Sequence, residues 1–179
     1  TLPLTPGYYD DFFFDYGWTT GGTALNGMWV RDVPIGTTFA SQPANVGADV
    51  DTDFGNQCFV TGNSGTGLAD NVSEGVTILT SPVFDLAGYQ NPQLSYYRYL
   101  SLQNGSNDTL KIQITNGIET KTVEIVTDGN PYEYMFHQTT VSIADLLLPT
   151  ANMQLLVTIA DMPGTGHVVE AACDVFEIT

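Results

Sequence analysis

An antiparallel β-sandwich with little helix is the fold class the sequence predicts, and three observations predict it. Eighteen glycines and nine prolines punctuate the 179 residues at short intervals, and β-branched and aromatic residues fill the gaps. Several of those gaps alternate. In Gln93 to Leu102, Leu94, Tyr96, Arg98 and Leu100 share one face while Ser95, Tyr97, Tyr99 and Ser101 share the other. In Thr109 to Thr115, Leu110, Ile112 and Ile114 oppose Lys111 and Gln113. Finally, no stretch keeps a 3.6-residue apolar period beyond one turn. With 42% hydrophobic residues the chain can bury one substantial core, so residues 1–179 read as a single sandwich domain.

The elements follow in chain order. The opening stretch "DDFFFDYGWTTGG" starts the first strand, with Asp10, Phe12 and Phe14 on one side and Asp11 and Phe13 on the other. Asp32 to Gln57, rich in Gly, Pro, Asn and Asp, reads as a long surface loop. "CFVT" and "VTILTS" are strands, and Ser81-Pro82 starts an edge strand that delivers Val83 and Phe84 to the core. After the two alternating strands, Asn116-Gly117 supplies the positive φ angles of a tight hairpin turn, and "ETKTVEIV" returns from it. "EYMFHQTTVSI", "MQLLVTIAD" and "HVVEAACDVFEI" complete the sheets, with one helical turn in "SIADLLLPT" capped by Ser142 and stopped before Pro149. The predicted core is Phe12, Phe84, Leu94, Ile112, Ile114, Leu155, Val157 and Phe176; Trp18 and Trp29, beside turns, read as closing that core in preference to serving as sugar platforms.

Charge excludes some partners. Arg31, Arg98, Lys111 and Lys121 oppose 20 acidic residues, for a net charge of −16. Nucleic acid binding needs clustered Lys and Arg, which are absent, and an anionic membrane surface is disfavoured for the same reason. No apolar run approaches the ~20 residues of a membrane span, so no membrane insertion is expected. A self-repelling acidic surface suits salty extracellular water, which points to a secreted or cell-surface protein whose signal segment has been removed, or to a domain of a longer one.

Chemistry is sparse. His137 sits within a strand and His167 follows the turn "MPGTG" at the start of the last one, and no HExxH, GxSxG or phosphate-binding glycine motif occurs. Two facing carboxylates of a glycosidase could come from any of the 20 acids, and nothing singles out a pair. The expectation is therefore no catalytic residues and no enzyme activity of its own. Cys58 and Cys173 lack CxxC spacing; they are either one long-loop disulfide or two small buried thiols. Tyr97, Tyr99 and Tyr132, with Tyr8 and Tyr9, are candidate ligand-binding platforms for sugar rings, and equally candidates for packing.

Five separated motifs carry a resemblance: "YYDDFFFDYGWTTGGTALNGMWVRDVPIGTT", "GNQCFVTGN", "EGVTILTSPVFDLAGYQNPQLSYYRYL", "NDTLKIQITN" and "VVEAACDVFEI". In this order they resemble the jelly-roll accessory domain, related to the MAM and galactose-binding-like sandwiches, of secreted bacterial metallopeptidases of the carboxypeptidase type. The resemblance implies a non-catalytic accessory or interaction domain whose partner is the catalytic domain of its parent protein, with docking to a glycan or protein surface. The alternative is a carbohydrate-binding module or cell-surface adhesion domain. The resemblance also implies a structural calcium joining the first strand, an early loop and the last strand, and the matching residues are Asp10, Asp11, Asn71, Glu74, Glu170 and Asp174. Phe13 stands where such domains tend to carry an acid, and Asn71 and Ser73 stand where they carry aspartates. Asp51 and Asp53 in "DVDTDFG" offer a different site or a solvated loop.

Overall fold

The structure is a computed structural model that describes residues 7–66, 68–104, 107–163 and 167–179. Its strands are β1 (Tyr8–Asp10), β2 (Thr19–Gly22), β3 (Trp29–Asp32), β4 (Thr38–Phe39), β5 (Gln42–Pro43), β6 (Cys58–Thr61) and β7 (Gly75–Thr80). They continue with β8 (Gln93–Gln103), β9 (Thr109–Thr115), β10 (Thr120–Thr127), β11 (His137–Ser142), β12 (Gln154–Asp161) and β13 (Val168–Ile178). A 3₁₀ turn at Ile143–Asp145 is the sole helical element among the described residues, and Ser142 precedes it without a side-chain cap bond.

Two antiparallel sheets face each other, one ordered β11-β8-β13-β6-β3 and the other β10-β9-β12-β7-β2. The alternation predicted for β8 and β9 decides what lies between them: Leu94, Tyr96, Leu100, Leu110, Ile112 and Ile114 are all buried there, with Leu155, Val157, Phe84 and Phe176. β13 is the strand that organises the first sheet. β6 pairs with Ala172 and Cys173, β1 pairs with Phe176 to Ile178, and the ladder with β8 is irregular between Asp174 and Glu177. Val175, at φ 47°, sits in that irregularity, and an inserted residue of this kind re-aims its neighbours. An ionic contact also spans the sheets: buried Arg98 lies 3.5 Å from Glu124 on β10, which accepts bonds from Tyr96 and Thr139.

Several local expectations change. The first strand ends at Asp10, because the chain turns at Phe12 (φ 59°), so Phe12 is buried while Phe14 is exposed. Val83 is exposed as well; only Phe84 reaches the core, through an isolated bridge to Met153. The Asn116-Gly117 hairpin is a four-residue loop in which Gly117 alone takes positive φ, and Asn116 Oδ1 accepts the N–H groups of Ile118 and Glu119. The segment from Asp32 to Gln57 is no free surface loop. It carries β4 and β5 and lies across the outer face of the first sheet, where Tyr99, Ser101 and Gln103 donate to the carbonyls of Ala44 and Pro43. This builds a second small core of Cys58, Val60, Tyr99 and Ala172.

That second core settles the cysteines. Both are free and buried. In the β6–β13 ladder Cys173 lies opposite Phe59, so Cys173 faces the main core with Phe59, while Cys58 faces the outer core. Neighbouring strand residues on opposite faces cannot be bridged by a disulfide. Burial pushes both thiols well above the ordinary range, with Asp174 the next contribution at each, so they are inert packing residues.

Candidate functional site

The loop over the outer face delivers a carboxylate cluster. Asp49 and Asp53 meet Asp174 of β13, with one carboxylate oxygen from each within 4.8 Å of the others. Asp174 is fully buried; its Oδ2 accepts the N–H of Val50 at 3.0 Å and its Oδ1 that of Val175 at 2.9 Å. The Oδ2 atoms of Asp49 and Asp53 are buried with no hydrogen-bond partner. Like charges this close disfavour ionisation. Burial, with Asp53 and Asp49 adding, pushes Asp174 up to about 8 against the two N–H bonds. Burial, with Asp49 and Asp11 adding, takes Asp53 to about 6, and Asp49 is raised by burial and by Asp51. No Lys, Arg or His among the described residues is ion-paired with these three.

The residues expected to share a calcium site are split. β1 pairs with β13 and so brings Asp10 and Asp11 to the Asp174 end of the strand, as the resemblance implies. Asp10 is nevertheless occupied: it accepts the N–H of Phe12 and the indole N–H of Trp18, both at 2.8 Å. Burial outweighs those two bonds and raises its carboxyl. Glu170 lies on the same face of β13 as Asp174 but four residues earlier, roughly 13 Å along the strand, and bonds Thr61 at 2.6 Å. Asn71 donates to the Val72 carbonyl, and the N–H of Glu74 bonds Asp161 in a different part of the fold. Glu170, Asn71 and Glu74 therefore leave the set. The acids that meet Asp174 are Asp49 and Asp53, while Asp51 is exposed. Two buried oxygens without partners, facing a third carboxylate, fit a hard cation that takes oxygen ligands.

Beside this cluster lies an aromatic cavity of about 360 Å³, lined by Tyr8, Tyr9, Tyr16, Trp18, Phe84 and Asp10, among others. The local sequence explains it. Asp10 ties the Phe12 turn to Trp18, so the chain doubles back and sets Tyr16 and Trp18 against β1. Tyr8 is fixed by bonds with the backbone of Asp85 and stacks on Tyr89. From Tyr16 the aromatic surface continues outward through Phe14, Phe13 and Phe54, whose rings touch in sequence. All four are exposed, Phe54 most at 70%. Arg31 clasps the base of this patch by donating to the carbonyls of Phe12 and Phe13. The phenol of Tyr9 is raised by burial and then by Asp11, Asp53 and Asp174, which links one cavity wall to the carboxylate cluster.

The other tyrosine platforms fare differently. Tyr99 is buried and bonded to Ala44, so it packs and presents nothing. Tyr97 is half-buried on the outer face. Tyr132 stays exposed, but its ring stacks on His137 at 3.7 Å between centroids. Of the residues missed from sequence, Asp49 opens the "DVDTDFG" stretch whose spaced acids were the available signal, whereas Tyr16 had no local signal, since its role depends on where a turn is folded.

No protein-family model matches the chain, and no curated protein matches it. Solved structures do share its fold. The K3 cleaved adhesin domain of Lys-gingipain from Porphyromonas gingivalis aligns with a TM-score of 0.58 at 12% identity, covering 96% of this chain and 97% of that one. The K1 cleaved adhesin domain of the same protein aligns at 0.55 and 12%, with 98% of each chain covered. The family 11 carbohydrate-binding module of a cellulosomal cellulase from Clostridium thermocellum aligns at 0.53 and 8%, covering 98% and 95%. At such identities the likeness is one of fold: the chain is an all-β sandwich similar to bacterial adhesin and carbohydrate-binding modules.

Proposed function

We propose that this chain is a non-catalytic binding module of an extracellular bacterial protein, and that its aromatic cavity takes a glycan. One observation carries the reading: Tyr8, Tyr9, Tyr16, Trp18 and Phe84 converge on a cavity of about 360 Å³ that continues into an exposed aromatic patch. Sugar rings offer C–H faces that pack on aromatic rings and hydroxyls that bond phenols, so tyrosine-rich concavities suit them. The similarity to adhesin and carbohydrate-binding modules supports the class of function without naming a ligand.

Calcium is the cation we assign to Asp49, Asp53 and Asp174. Bound there, it supplies charge neutralisation and oxygen coordination. The residues' own part is to hold the 49–53 loop against β13, with Asp11 and Tyr9 of the neighbouring segment close enough to feel its charge. A second reading, docking to a catalytic domain of the parent protein, metallopeptidase or other, is favoured by the protruding rings of Phe13, Phe14 and Phe54, a contiguous apolar patch of the kind that marks interaction surfaces.

Affinity electrophoresis against soluble polysaccharides, repeated with Tyr16→Ala and Phe54→Ala, separates the two. Retardation lost with Tyr16→Ala supports the glycan reading. Absence of retardation by any polysaccharide, with tight binding to a co-expressed parent domain that Phe54→Ala abolishes, supports docking instead.

A further inference from the structure

Apart from the carboxylate cluster at Asp174, a second group of ligating side chains is built at the opposite part of β13. Asp108 precedes β9, Asp161 ends β12 and His167 precedes β13, so three separate stretches of chain meet there. His167 Nδ1 lies 2.8 Å from Asp108 Oδ2 and 3.2 Å from Asp161 Oδ1. The second oxygen of each carboxylate is held from behind: Asp108 Oδ1 accepts the N–H of Met162 at 2.8 Å, and Asp161 Oδ2 accepts that of Glu74 at 2.6 Å. Each aspartate is thereby turned to offer one oxygen toward the imidazole nitrogen. Outer hydrogen bonds of this kind orient metal-ligating carboxylates.

Charge does not balance within the group. Asp108 and Asp161 are 1% and 8% exposed, yet Nδ1 has at most one proton to share between two anionic oxygens. A divalent ion in place of that proton would bond all three groups at once. Ligand bonds of about 2.0–2.2 Å in a tetrahedral site place neighbouring ligand atoms roughly 3.3 Å apart; Asp161 already stands at 3.2 Å from Nδ1, and Asp108, at 2.8 Å, would draw back by about half an ångström to admit the ion. One imidazole with two carboxylates suits zinc, whereas calcium and magnesium take oxygen ligands. A cavity of about 460 Å³ lined by Glu74, Val76, Asp161, Met162 and Pro163 adjoins the group at Asp161.

We infer that Asp108, Asp161 and His167 form a zinc site that clamps the starts of β9 and β13 to the end of β12. It is independent of the glycan reading and of the calcium assigned to Asp174.

The test is zinc titration of tag-free, chelator-treated protein at pH 7.5 with saturating calcium present, followed by calorimetry and by imidazole ¹⁵N resonances, which only two histidines contribute. One equivalent of zinc per chain is expected, with the Nδ1 resonance of one histidine displaced. His167→Ala and Asp108→Asn should weaken binding by about 100-fold or more, as loss of a ligand does, while His137→Ala leaves it unchanged. The resonance measurement on the unsubstituted protein stands even where a variant fails to fold. An Nδ1 resonance that moves with pH but not with zinc identifies a histidinium shared by two aspartates and overturns the proposal. Binding that survives His167→Ala, or that disappears with His137→Ala, overturns it equally.

Discussion

The two acidic groups along β13 solve one electrostatic problem in different ways. At Asp108 and Asp161 a base, His167, stands between the carboxylates within hydrogen-bonding distance of both. At Asp49, Asp53 and Asp174 no base is paired with the carboxylates among the described residues, and two buried oxygens have no partner. Six to seven strand residues, roughly 20 Å, separate the groups, so each must be neutralised locally. A base built into the fold offsets part of the charge at the first group and leaves the remainder to an ion; where no base is paired, neutrality has to come wholly from solution, as protons or as a cation.

That contrast can be broken at the paired group first. In chelator-treated protein, His167→Ala leaves two buried carboxylates without their base and should cost about 3–5 kcal/mol, the usual penalty for removing one partner of a buried pair. Chemical denaturation measures it, and a loss below about 1 kcal/mol would show that the imidazole does not neutralise them. At the unpaired group the partner must be supplied. Calcium at about 100 times its dissociation constant should add about 2.7 kcal/mol, read as a raised melting midpoint that chelator reverses and Asp174→Asn abolishes.

Without calcium, pH should act where the cation otherwise would. Asp174 is pushed up to about 8 and Asp53 to about 6, above the ordinary carboxylate range near 4. The folded state then holds more protons than the unfolded chain between those limits, so stability falls as pH rises from about 4 through 8. The midpoint in chelator should drop across that interval, and Asp174→Asn should flatten the upper part of the profile. A midpoint that rises from pH 5 to 8 would contradict the assignment. The smallest effect is expected at Asp51, exposed beside the same cluster: Asp51→Asn should change stability by less than about 0.5 kcal/mol and leave the calcium response intact.

The core was written in the alternation of the strands. Ile112 and Ile114 could face only one way while Lys111 and Gln113 faced the other, and all eight residues predicted for the core are buried. The pairing of the chain ends, which brings Asp10 near Asp174, also followed from the resemblance. The candidate sites were less legible. Tyr99 alternates as a surface tyrosine should, yet a loop closes over it; Phe14 has the parity of a core residue, yet the turn at Phe12 sends it outward.

What the sequence determined by itself is therefore the fold class, the inward faces of the long strands and the acidic surface, because period-two alternation and composition are local properties that act without knowledge of distant residues. Tertiary structure alone decided which carboxylates meet, that Cys58 and Cys173 face opposite sides of one sheet, and that Tyr16 and Trp18 enclose a cavity with β1. Those outcomes depend on the path of the 33–57 segment and on the backbone at Phe12 and Val175. A shift of one residue there reverses which side chains face each other, and no pattern confined to a few neighbouring residues records it.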